Sequence, residues 1–101
     1  MRVAVLLIGA LLMPALLSVP AHAQTQEESR VMNGFMRLGM TRDKAWCYSQ
    51  IIGQMLGPQE TGKAATIVET APNSEAVQQG VMNGGPPIMN AFSAAHNTCG
   101  Q

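Results

Sequence analysis

Residues 40–58 read MTRDKAWCYSQIIGQMLGP, and they carry both ends and the buried face of one helix. Thr41 is a natural N-cap, because its hydroxyl can accept one of the unpaired N–H groups of a first turn. Asp43 sits where the helix dipole favours negative charge, and Met40 is placed to staple back onto the helix. Gly57-Pro58 stops it. At about 100° per residue, Ala45, Cys47, Tyr48, Ile51, Ile52, Met55 and Leu56 share one half of the wheel. Ser49, Gln50, Gly53 and Gln54 occupy the other half. Trp46 falls opposite the apolar arc, beside Ser49, Gln50 and Gly53. Tryptophan is enriched among partner-binding anchors, which makes Trp46 and Gly53 candidate partner-facing residues. The commoner arrangement has a neighbouring helix covering that face and gives this helix a central place, and it is the one expected here.

Upstream, Val31, Met32, Phe35, Met36 and Leu38 line one face of a helix predicted from Glu27 to Leu38, and Gly39 suits its C-terminal cap. Downstream, Ala64, Ala65, Ile67, Val68 and Ala71 point inward from a helix predicted from Glu60 to Thr70. Pro72 ends it. Asn73 or Ser74 then caps a short helix to Asn83 that carries Val77, Val81 and Met82, with Gly80 weakening it. Gly84-Gly85-Pro86-Pro87 breaks the chain again. Pro87 fits the first turn of a last helix through Thr98, in which Ile88, Phe92, Ala95 and Cys99 recur at helical spacing. No stretch alternates as a strand would. The pattern specifies an all-α domain, a small bundle of four or five short helices packed around the second.

The two cysteines of the chain, Cys47 and Cys99, fall on apolar faces of the second and fifth helices. A bond between them staples helix 2 to helix 5 and closes most of the domain, which is worth about 4 kcal/mol in the chain-entropy model. A domain this small needs such a staple. The alternative, a redox-active thiol pair, lacks a C-x-x-C arrangement.

The N-terminus predicts where oxidation happens. Met1-Arg2 is a short positive region, Val3 to Leu17 is apolar, and Ala21-His22-Ala23 is a small-x-small cleavage site. Residues 1–23 therefore read as a cleaved signal peptide, with the single helical domain over residues 24–101 exported to the periplasm or secreted. The apolar run is shorter than the roughly 20 residues of a membrane span and contains Pro14, so no stable span is expected after cleavage. Cleavage also removes Arg2 and His22, leaving Arg30, Arg37, Arg42, Lys44 and Lys63 against six acidic residues. That balance offers no electrostatic footprint for nucleic acid.

Chemistry is sparse. Cleavage leaves a single histidine, His96, no metalloprotease or nucleophile-elbow motif occurs, and the carboxylates read as capping or solvated residues. Neither catalytic residues nor a cofactor are predicted. A sharper possibility is a soft-metal site, because thioethers suit Cu(I). Met32, Met36 and Met40 are spaced by fours, and Met89 lies near His96 on the last helix. Against it, methionine also fills gaps in small cores, and Gly39 interrupts the row. In size, compartment and single disulfide the chain is similar to small periplasmic acid-stress chaperones, although its low charge argues against a mechanism driven by mass protonation. The expectation is a non-enzymatic binding or interaction protein of the bacterial envelope, its partner an envelope protein or a small ligand. The alternatives are a periplasmic copper-handling protein and a small enzyme with unrecognised chemistry.

Overall fold

The computed structural model describes residues 24–100, so the signal peptide predicted over residues 1–23 lies outside the described residues. Five helices follow in order: α1 Gln26–Arg37, α2 Arg42–Met55, α3 Pro58–Thr70, α4 Ser74–Asn83 and α5 Pro86–Cys99. There is no strand among the described residues. Nor is any helix among them long and apolar enough to cross a membrane.

The helix ends follow from local chemistry. Thr25 and Glu28 form a capping box on α1: the Thr25 hydroxyl accepts the Glu28 N–H at 3.1 Å, and Glu28 Oε1 accepts the Thr25 N–H at 3.0 Å. Thr41 and Asn73 cap α2 and α4, accepting from the Lys44 and Ala76 N–H groups at 3.4 and 2.9 Å. By contrast, α3 and α5 begin directly on Pro58 and Pro86, behind glycines that offer no side-chain cap. Both therefore start earlier than the sequence pattern suggests. Proline suits the first helical position, where its fixed φ is already helical and its missing N–H has no intrahelical partner to lose. Gly39 ends α1 with φ +101°, and the N–H groups of Gly39 and Met40 return to the carbonyls of Met36 and Phe35. This is a Schellman turn, and it needs a left-handed residue that glycine supplies cheaply.

Helix α1 packs most extensively against α3 and α2, and α2 against α5. Small residues let the first pair close up: Ala64 and Ala65 are fully buried on α3, and a methyl group at Gly34 would come within 3.0 Å of Val68 Cβ. Phe35 joins three helices, its ring centroid 5.0 Å from that of Tyr48 and 6.0 Å from that of Phe92, both in tilted contacts. Arg37 reaches across to the end of α3 and donates to the carbonyls of Val68 and Ala71 at 2.7 Å each, groups a helix C-terminus otherwise leaves unpaired. The Cys47–Cys99 disulfide is formed, with Cα atoms 5.9 Å apart and a sequence separation of 52, and it fixes α2 to α5 as the cysteine placement predicts.

The buried arc of α2 is rotated from the apolar one. Ser49 and Gln50 are buried although they read as outer residues, and Met55 is half exposed although it reads as inner. The start of α1 descends on that side. Gln24 Nε2 donates to Ser49 Oγ at 2.8 Å, and the absent side chain of Gly53 makes room for the carboxylate of Glu28, itself only 3% exposed. Glu28 is thus a buried capping group rather than a solvated one.

Candidate functional site

The Schellman turn at Gly39 swings the chain into α2 so that Leu38, Met40 and Thr41 form one wall of an open groove. Helix α4 forms another wall. Its apolar face is thin, with Val77 buried, Val81 half-buried and Met82 67% exposed. It therefore covers the α2–α5 layer only in part, and the space left between α4, α5 and the α1–α2 turn measures about 950 Å³. Phe35, Tyr48, Val77 and Phe92 are buried beneath it and present an apolar floor. Met82 and Met89 stand exposed at its edge.

Its polar groups come from two helices. Tyr48, on α2, places its hydroxyl 3.1 Å from His96 Nδ1 on α5. Burial pushes the Tyr48 phenol above its ordinary pKa, so the hydroxyl stays protonated at neutral pH. The disulfide lies beside this pair, since Cys47 precedes Tyr48 and Cys99 sits one turn beyond His96; it holds in register the two helices that carry them. Lys44, one turn before Tyr48, contributes the only full charge among the lining residues, and no aspartate or glutamate lines the groove.

Of the residues singled out from the sequence, Met40, Met89 and His96 line this groove. Met32 and Met36 do not: Met32 Sδ lies 3.7 Å from Gln24 Nε2, and Met36 is exposed on α1. Among the described residues no three of His, Cys, Asp and Glu come together as a metal-binding group. Trp46 is 51% exposed and lies outside the groove: α1 covers Ser49, Gln50 and Gly53 on that face, as expected of a neighbouring helix, but does not extend over the indole. The reason is topological: α2 spends its packing surface on α1 and α5 and leaves the indole open. Gly53 faces the Glu28 side chain and serves α1–α2 packing. Sequence reasoning overlooked Lys44, Tyr48 and Met82 as groove residues. The helical spacing of Lys44 to Tyr48 and of Met89 to His96 was available, but which faces meet depends on the disulfide and on where α4 lands.

Comparison of the chain with protein-family models, curated proteins and solved structures finds no match.

Proposed function

We propose that this chain is a small, exported, non-enzymatic binding protein of the bacterial envelope, and that the groove between α4, α5 and the α1–α2 turn is its binding site. The observation that carries this reading is an aromatic floor edged by exposed methionines. Apolar surface of this kind is favourable to cover, and flexible thioether side chains re-pack around whatever covers it. Export is supported by the signal-type N-terminus and by the disulfide, which forms and persists in oxidising compartments. The binding claim is tested with the neutral dye Nile red. Saturable one-to-one binding is expected, and it should be lost in a Met82→Glu/Met89→Glu variant whose melting temperature is unchanged. Binding that survives the variant would place the apolar site elsewhere.

A second reading has its own observation: Met40, Met82, Met89 and His96 all line one groove, and thioether with imidazole is a donor set suited to Cu(I). A Cu(I) competition titration on the disulfide-bonded protein decides it. We expect no submicromolar site, because no aspartate or glutamate lines the groove to neutralise the ion. Submicromolar binding lost on mutating Met82 and Met89 together would put copper handling first.

A further inference from the structure

Resting on the reading of the groove as the binding site, the geometry points to its occupant: a free single-chain amphiphile with a carboxylate head, its head at Lys44 and its chain over Phe35, Val77 and Phe92. Charge complementarity selects the head. Lys44 is the only full charge on the lining, and no acidic side chain lines the groove to repel an anion. In the first turn of α2 Arg42 and Lys44 outnumber the one acidic residue, Asp43, and of the three only Lys44 lines the groove. A cationic head would meet like charge there.

The floor selects the tail. At about 950 Å³ the groove reaches the upper end of the roughly 300–1,000 Å³ typical of ligand sites, room for a chain of about a dozen carbons. Met40, Met82 and Met89 can fold over such a chain, which has no shape of its own to match. Each methylene removed from water tightens binding about fourfold at most, so two added carbons give up to about 15-fold.

The test titrates the purified, disulfide-bonded protein calorimetrically with decanoate, decyltrimethylammonium and decyl maltoside, each below its micelle concentration. Decanoate is expected to bind one-to-one and about tenfold tighter than the cation, with dodecanoate tighter still. Chemical-shift changes should centre on Tyr48, Met89 and His96. Lys44→Gln should weaken decanoate about fivefold, level the three head groups and leave the melting temperature unchanged. Equal affinity for all three heads, or no effect of Lys44→Gln, would overturn the carboxylate assignment while leaving the groove as an apolar site. Failure of all three amphiphiles together with Nile red would remove the groove reading itself, and binding seen only above the micelle concentration would likewise overturn the proposal.

Discussion

Replacing Gly53 by alanine should destabilise this protein, although helix propensity alone predicts the reverse. Gly53 lies inside α2, where alanine is favoured over glycine by about 1 kcal/mol. The new methyl group, however, would occupy the space of the Glu28 carboxylate, which is buried and bonded to the Thr25 N–H. Pushing Glu28 aside breaks its half of the capping box, worth about 1 kcal/mol, and crowding a packed contact costs about 1–3 kcal/mol more. Subtracting the propensity gain leaves a net loss of about 1–3 kcal/mol, to be read from urea unfolding with unchanged m-value. Glu28→Ala shortens the side chain that the methyl meets. In the double variant, therefore, the two losses should fall short of additivity by about 1 kcal/mol or more. A Gly53→Ala protein more stable than the parent would refute the Glu28–Gly53 packing and the rotated burial of α2 that goes with it.

Cys99→Ser should cost about 2–5 kcal/mol, and mass analysis without reductant should find no free thiol; thiols in the native protein or an unmoved melting temperature would contradict the staple. Trp46 should emit at long wavelength and be quenched readily by iodide, with Trp46→Ala costing about 1 kcal/mol or less. Blue-shifted emission with a loss of about 3–5 kcal/mol would mean a covered indole. Hydrogen bonds from Arg30 at 2.7 and 2.9 Å hold the Glu69 carboxyl below its ordinary pKa, outweighing a smaller opposing effect of desolvation. A depressed folded pKa contributes stability above the unfolded carboxylate value, lost as pH falls through the folded one. Both partners are 38% exposed, so the stabilisation should be small and erased by salt. A carboxyl-carbon NMR titration should place the Glu69 midpoint below that of an ordinary glutamate and return it toward that value in Arg30→Gln.

The elements set by neighbouring residues were readable in the sequence. Thr41, Asn73 and Gly39 act within a turn of themselves, so their caps appear where the pattern puts them, and the two cysteines lie on helices whose faces the apolar spacing defines. What depends on distant partners was not readable. Gln50 and Ser49 look like outer residues until Gln24 and Glu28 arrive from the start of α1, and Trp46 looks covered until α2 is seen to spend its contacts on α1 and α5. The groove is the extreme case. Lys44, Val77, Met89 and His96 come from three helices, and no local signal states how far the thin face of α4 spreads over α5.

Occupancy of the groove in the cell tests the central claim most directly. A diazirine amino acid placed at Met82 or Met89, both exposed on the groove edge, should yield on irradiation of intact cells a defined adduct on the exported, disulfide-bonded protein. The same group at Gln59, exposed on α3 away from the groove, should yield none. Equal labelling from all three positions, or labelling from Gln59 alone, would contradict a binding site in the groove.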